Sequence, residues 1–278
     1  MRGRTRFRVR LLPILFIASA LFVVPRDLNG QQFATDDAAV VDAGACQVEA
    51  WHGQEASWLL PACRPIRLLE FTGGVGSRRL EPGDPRRLEF VLQTKFLFRD
   101  LDQHRFAWGA VLGIGLDPVR QLAGDPAPGL FAYLPASYSI DNGRVVLHGN
   151  LGWSFEREAN EEVNGEQSVQ PMQGVLWGAR GDLQVANRVT LIGELFGDAG
   201  DPLLGQAGLR IILVPERWQL DISFGRPIRG NGGPGPGFAV GFAWTPPPFL
   251  FRPGGRSGVP GLRGRRETRN NRPLPAVP

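Results

Sequence analysis

The sequence predicts an all-β protein of about twelve antiparallel strands, with ten as the alternative count. Apolar and polar residues alternate over eight or more positions in many segments, as in RWQLDISFG, where Leu220, Ile222 and Phe224 share one face. The connections between these segments alternate between short and long. Tryptophans fall close to the segment ends. Together these observations favour an up-and-down barrel that crosses a membrane.

The predicted strands follow one another along the chain without a sustained helical pattern between them. They cover residues 46–52, 57–62, 66–75, 87–98, 105–115, 129–140, 144–156, 173–184, 188–197, 204–214, 217–225 and 236–244. After the first hairpin, longer connections alternate with shorter ones, and Asp141-Asn142-Gly143 is a typical tight-turn sequence. Short turns on one rim and longer loops on the other are typical of transmembrane β-barrels.

Five tryptophans mark the ends of the predicted strands. In the barrel topology, Trp153 and Trp177 fall near the outer rim, whereas Trp108, Trp218 and Trp244 fall near the periplasmic rim. Because indole rings favour the boundary between water and lipid, we expect these residues to form two aromatic girdles.

The N-terminus has the composition of a secretory signal peptide, which we assign to residues 1–30. Five arginines in MRGRTRFRVR precede an apolar run of fourteen residues, LLPILFIASALFVV, which is too short to span a bilayer and contains Pro13. Cleavage after Ala20 and cleavage after Gly30 both fit. Residues 31–43 are expected to form an N-terminal periplasmic segment ahead of a barrel over residues 44–251.

The positive charge of the chain lies at its two ends. The first 30 residues carry +5 and the residues after Phe251 carry +6, which leaves −7 for the remainder. This distribution gives no basic stripe on a folded surface, so we expect no nucleic-acid partner. Residues 252–278 are rich in Arg, Gly and Pro and are predicted to be a disordered tail.

The only two cysteines, Cys46 and Cys63, lie opposite each other if the chain turns back between His52 and Ser57. Directly opposed residues on neighbouring strands are close to disulfide distance, and an exported protein meets an oxidising environment. We therefore predict a disulfide. The alternative is two unrelated buried thiols. A zinc site is disfavoured because two cysteines alone cannot complete a tetrahedral site, and we expect no metal or cofactor.

Charged residues on the polar faces of the predicted strands are candidates to line the lumen. They are Glu70, Glu89, Lys95, His148, Arg180, Asp182, Glu194, Arg210 and Asp221. Both signs are present, so the expected interior is a network of paired charges that plugs or lines a narrow pore. The alternative is that these charges only solvate and stiffen the barrel.

The chain resembles proteobacterial outer-membrane β-barrel proteins over about residues 33–250. The similarity rests on FATDDAAVVDAGACQVEAWHG, GRVVLHGNLGWSFERE, VPERWQLDISFG and GFAVGFAWTPPPFLF. The nearest resemblance is to an uncharacterised group of exported barrels, with a more distant one to barrels for hydrophobic solutes. It implies outer-membrane lipid and the barrel assembly machinery as partners. One departure is that 27 residues follow Phe251, where such barrels usually end on an aromatic residue.

The expected function is a small-solute channel or transporter-like barrel in the outer membrane of a Gram-negative bacterium, and not an enzyme. Three alternatives stay open. One is a structural barrel. A second is a hydrolytic or lipid-modifying barrel in which His148 acts as a general base toward Ser137 or Ser154. A third is a soluble periplasmic barrel of the lipocalin type, with its apolar faces turned inward.

Overall fold

The computed structural model describes residues 33–54, 56–66, 68–79, 85–101, 104–116, 118, 128–159, 169–198, 203–229, 235–247 and 250. The strands are β1 (Cys46–Gly53), β2 (Ala56–Ile66), β3 (Leu69–Arg78), β4 (Arg87–Arg99), β5 (Phe106–Leu116), β6 (Gly129–Ile140), β7 (Val145–Ala159), β8 (Val169–Gly174), β9 (Leu176–Ala186), β10 (Val189–Asp198), β11 (Leu203–Val214), β12 (Trp218–Arg229) and β13 (Gly237–Trp244). Within these ranges, no helix has the length and apolar composition required to cross a membrane.

The strands form one closed antiparallel barrel. Consecutive strands pair with each other except for β8 and β9, and β1 pairs with β13, which closes the sheet. Segments β8 and β9 both pair with β7 and are separated only at Val175, so they form one interrupted strand. The barrel therefore has twelve strands, and the predicted fold class and strand count are confirmed.

The two rims of the barrel differ in their connections. The rim on which β1 begins and β13 ends carries the turns at residues 67–68, 100–105, 141–144, 187–188 and 215–217. On the opposite rim, the longest connections cover residues 117–128 and 160–168. Short turns identify the first rim as periplasmic.

The two faces of each strand differ in chemistry as the alternation predicts. In β4, Leu92 is 54% exposed on the outer surface of the barrel, whereas Lys95 is 5% exposed on the inner side. Leu112 in β5 and Leu151 in β7 are likewise exposed. A water-soluble protein buries leucine and exposes lysine, and this barrel does the opposite.

An apolar exterior around a polar interior requires lipid on the outside. Every strand has two neighbours in the closed sheet, which satisfies backbone hydrogen bonding in hydrocarbon. A lipocalin-type barrel would bury the leucines that are exposed here, so that alternative is wrong. The protein is therefore a transmembrane β-barrel.

The five predicted girdle tryptophans all lie on the outer surface, each 36–40% exposed. Trp218 stacks on Trp244 with ring centroids 5.6 Å apart near the periplasmic rim. Trp153 and Trp177 lie further from the periplasmic rim. Two other tryptophans, Trp51 and Trp58, face each other on neighbouring strands near the opposite rim, with centroids 6.4 Å apart.

The disulfide between Cys46 and Cys63 is confirmed. Its cysteines are directly opposed in the β1–β2 ladder, in the register that the sequence predicts. The bridge covalently joins the first two strands at the periplasmic rim, beside the junction between β1 and β13.

Several strands extend beyond their predicted ends, and two of these extensions have a clear physical reason. Strands β7 and β8 stay paired as far as Ala159 and Val169, where the sequence predicted a loop from residue 157 to 172. A hairpin that rises above the membrane has no lipid-facing side, so its sequence needs no apolar alternation. Strand β2 continues to Ile66 despite Pro65, because the β2–β3 register shifts there and the missing N–H is tolerated.

The predicted signal peptide (1–30) and the predicted tail (252–278) lie outside the described residues.

A charge on the outer surface tests the orientation of the strands. Leu112→Arg places a charge in the middle of β5 and should lower the free energy of unfolding by about 2–4 kcal/mol, because the midplane of a bilayer is apolar. Leu88→Arg, one residue from the start of β4, is the control and should cost about 0–1 kcal/mol. Urea unfolding in lipid vesicles measures both, and equal costs would contradict the assigned outer face.

Candidate functional site

Charged side chains of opposite sign occupy directly opposed positions on neighbouring strands of the inner wall. The strand registers place Glu70 opposite Lys95, Arg180 opposite Glu194 and Arg210 opposite Asp221. Arg210 donates from Nε and Nη2 to the two carboxylate oxygens of Asp221 at 3.1 and 3.0 Å. Opposite charges in directly opposed positions stabilise a sheet and lower the cost of enclosing each charge.

The remaining predicted lumen residues occupy two separate places. His148 lies opposite Arg180, and Asp182 accepts hydrogen bonds from the Arg180 guanidinium at 2.8 and 3.0 Å. Glu89 lies apart from this group near the opposite rim, where it pairs with Arg78 at 2.8 Å. The structure therefore arranges eight of the nine candidates as three groups around the inner wall, namely Glu70 with Lys95, Arg210 with Asp221, and Glu194 with Arg180, His148 and Asp182.

The lumen also contains polypeptide. Residues 33–42, here called the lumen segment, precede β1 and lie inside the barrel. The sequence placed residues 31–43 in a separate periplasmic segment, whereas the described part of that stretch bonds to side chains of the inner wall. The physical reason is that the enclosed charges need hydrogen-bonding partners. A peptide holds such partners at fixed positions, whereas water molecules would be more mobile.

Wall side chains hold the backbone of the lumen segment. Ala34 and Thr35 donate their N–H groups to the two carboxylate oxygens of Glu194, each at 2.8 Å. Val41 donates its N–H to Glu70 at 2.7 Å. In the opposite sense, Arg180 donates to the carbonyl oxygen of Thr35 at 2.8 Å. The segment is therefore bound by wall carboxylates and a guanidinium, and not by addition to the sheet.

Asp36 is the most extensively bonded residue of the lumen segment. Its carboxylate accepts from Lys95 Nζ at 2.9 Å and from the Tyr133 hydroxyl at 3.0 Å. The Asn150 side chain, with its amide oriented to satisfy both groups, donates to the Asp36 carbonyl and accepts from the Asp36 N–H at 3.0 and 2.7 Å. Strands β4, β6 and β7 thus converge on this one residue.

Asp37 lies between two wall cations. Its carboxylate is 3.8 Å from Lys95 and 3.9 Å from Arg180. Two cations this close favour the ionised carboxylate over the neutral acid. The Asp37 carboxylate therefore links the segment to both sides of the lumen.

Ser137, His148 and Asp182 are brought together as a serine hydrolase would require. Ser137 Oγ is 2.8 Å from His148 Nδ1, and His148 Nε2 is 3.6 Å from Asp182. However, Ser137 is 2% exposed, and its Oγ accepts the N–H of Ala38 at 2.8 Å. The lumen segment occupies the position that a substrate carbonyl would need, so the geometry favours an anchoring role for this serine.

A family model described as "Uncharacterised conserved protein UCP029691" matches residues 18–234. The chain belongs to this family. The matched range includes the lumen segment and the strands that hold it. Comparison with curated proteins gives no match.

Solved barrel structures show low similarity to the chain. The KdgM porin has 10% identity and a TM-score of 0.49, covering 72% of this chain and 98% of that one. The NanC porin has 8% identity and a TM-score of 0.46 with the same coverages. An outer membrane channel from Pseudomonas putida F1 has 12% identity and a TM-score of 0.49, covering 77% of this chain and 99% of the other.

A polar cavity of about 370 Å³ lies between the lumen segment and the wall. It includes the periplasmic turn at residues 215–217 in its lining, so it is on the periplasmic side. Its charged lining combines Asp36 and Asp37 of the segment with wall residues of both signs, among them Glu49, Lys95 and Arg210. The interior therefore contains a polar space beside the peptide, on the periplasmic side.

Sequence reasoning missed the lumen segment because the segment has no strand periodicity. Its partners Tyr133, Ser137 and Asn150 lie on inward positions of β6 and β7, but uncharged residues there give no sign of a bound peptide. The available signal was the adjacent pair Asp36-Asp37 just before the first strand, opposite a wall with buried cations. Recognising it requires the strand register, which the sequence does not supply.

Removing Glu194 tests how the lumen segment is held. Glu194→Met deletes the acceptor of two N–H groups and should increase hydrogen exchange of residues 33–42 by about 10–100-fold, because each bond to a charged group contributes about 1.5–3 kcal/mol. Glu89→Met is the matched control, since Glu89 pairs with Arg78. Mass spectrometry of the protein in nanodiscs measures the exchange. Unchanged exchange in Glu194→Met would refute the assigned contacts.

Proposed function

We propose that the protein is a passive outer-membrane channel for small polar solutes, and that the path opens when the lumen segment moves. The observation that carries this proposal is that a peptide, and not the side chains of the wall, fills the middle of the lumen. A twelve-stranded barrel lies between eight strands, which side chains can fill, and sixteen or more, which leave an aqueous channel. A lumen of this intermediate size has room for one peptide segment.

The manner in which the segment is bound supports a movable occupant. Residues 33–42 contribute no strand to the barrel, so their release breaks no ladder between strands. Their bonds go to polar groups such as Glu194, Lys95 and Ser137, and water can replace each of these partners. The segment could therefore leave while the barrel stays closed.

The chemistry of the wall indicates the class of solute. The inner positions around the segment carry carboxylates, guanidinium groups, amides and hydroxyls, with both signs of charge close together. Such a surface offers partners to hydrated solutes and disfavours apolar ones. The expected partners are thus a small polar solute and the surrounding lipid, with the barrel assembly machinery as the expected route of insertion.

Planar-bilayer conductance tests this function. The unaltered protein should be closed for most of the recording. Replacing both acids, Asp36→Asn with Asp37→Asn, should increase the open probability about tenfold to a hundredfold, because at least one charge-assisted bond of about 1.5–3 kcal/mol is lost. Asp42→Asn is the control, since Asp42 is exposed where the segment leaves the barrel. Silence in all three proteins would contradict a channel.

A further inference from the structure

The inner wall recognises the lumen segment through groups that any peptide possesses. Three backbone N–H groups, those of Ala34, Thr35 and Val41, are met by carboxylates. A fourth, that of Ala38, is met by Ser137. On the acceptor side, Arg180 binds the carbonyl of Thr35 and Arg64 binds that of Val41 at 2.9 Å. These contacts recognise backbone groups and do not depend on the side chains of the bound peptide.

Selectivity between peptides comes from two positions. Asp36 meets Lys95 and Tyr133, and Asp37 lies between Lys95 and Arg180. The residue before these two acids must be small. Thr35 occupies this position and lies so close to Gly178 that a Cβ atom added to Gly178 would be 3.3 Å from the Cβ of Thr35. The wall therefore favours a peptide that presents a small residue followed by two acidic ones.

We propose that the inner wall is a binding site for a short acidic peptide, that the lumen segment is its built-in occupant, and that a free peptide of the same chemistry can replace it. This inference rests on the proposed function, because a free peptide can enter only if the segment leaves. It goes further by naming the solute class: a short peptide with two adjacent carboxylates.

A peptide fits the wall better than an acidic ligand without amides. Carboxylates of Glu70 and Glu194 point into the same lumen as the cations that bind the two aspartates. A ligand with carboxylates alone would satisfy Lys95 and Arg180 but would leave these two glutamates facing another anion. A peptide brings N–H donors for the glutamates and carboxylates for the cations, so it satisfies both sets.

The experiment adds the segment back as a separate molecule. The receptor is the full chain with residues 33–42 replaced by ten Gly and Ser residues. The probe is the acetylated peptide FATDDAAVV with a fluorophore at its C-terminus, and the matched probe is FATNNAAVV. Fluorescence anisotropy in detergent micelles measures binding without requiring conductance. If the replaced chain does not fold, Asp36→Asn with Asp37→Asn provides the second receptor.

The proposal expects saturable binding of FATDDAAVV, at least about tenfold tighter than binding of FATNNAAVV. Adding Lys95→Met to the receptor should remove most of that difference, because the two changes delete the same interaction. Adding Glu89→Met should leave it intact. Equal binding of the two probes, or no binding to either folded receptor, would overturn the inference. If a receptor binds FATDDAAVV but never conducts, only the proposed channel function is refuted.

Discussion

The structure depends on one electrostatic constraint: charges enclosed by a barrel in lipid need partners within that barrel. Opposed strand positions supply some of these partners, as Arg210 and Asp221 do for each other. The other partners come from a peptide, whose Asp36 meets Lys95 and whose N–H groups meet Glu194. An unpaired charge in this setting costs several kcal/mol, so the wall and the lumen segment stabilise each other.

This constraint joins the fold to the function. The alternation that exposes Leu92 to lipid turns Lys95 inward, so a membrane barrel acquires a charged interior as a consequence of its exterior. A charged interior of this width retains a polar peptide more readily than an apolar one. Because the peptide is held by side chains and not by strand pairing, it can leave without breaking a strand ladder, and water entering the lumen would then replace the partners that it supplied. This is what the proposed gated path for solutes needs.

Much of the fold can be predicted from the sequence, because the patterns that specify it lie within short segments of the chain. Alternation identifies the inward and outward residues of each strand, and the positions of Cys46 and Cys63 identify their shared register in a single hairpin. The lumen segment could not be found in this way, because its contacts join Asp36 to Tyr133 and Thr35 to Glu194 across about a hundred residues or more. The Ser137–His148 contact was considered from the sequence as a hydrolase pair, but the Ala38 N–H that covers it was not foreseeable. Contacts of this kind depend on how all twelve strands are staggered around the barrel.

A cross-link between the lumen segment and the wall tests the central claim most directly. A Cβ atom at Gly178 would lie 3.3 Å from that of Thr35, which is close to disulfide spacing. Thr35→Cys with Gly178→Cys should therefore form a bridge in isolated outer membranes, detected by mass spectrometry of the digested protein. Thr35→Cys with Gly193→Cys is the control, because Gly193 has open space around it. Bridge formation in the first protein alone is the predicted result. Two free, readily alkylated thiols in the first protein would place the segment outside the lumen and contradict the account.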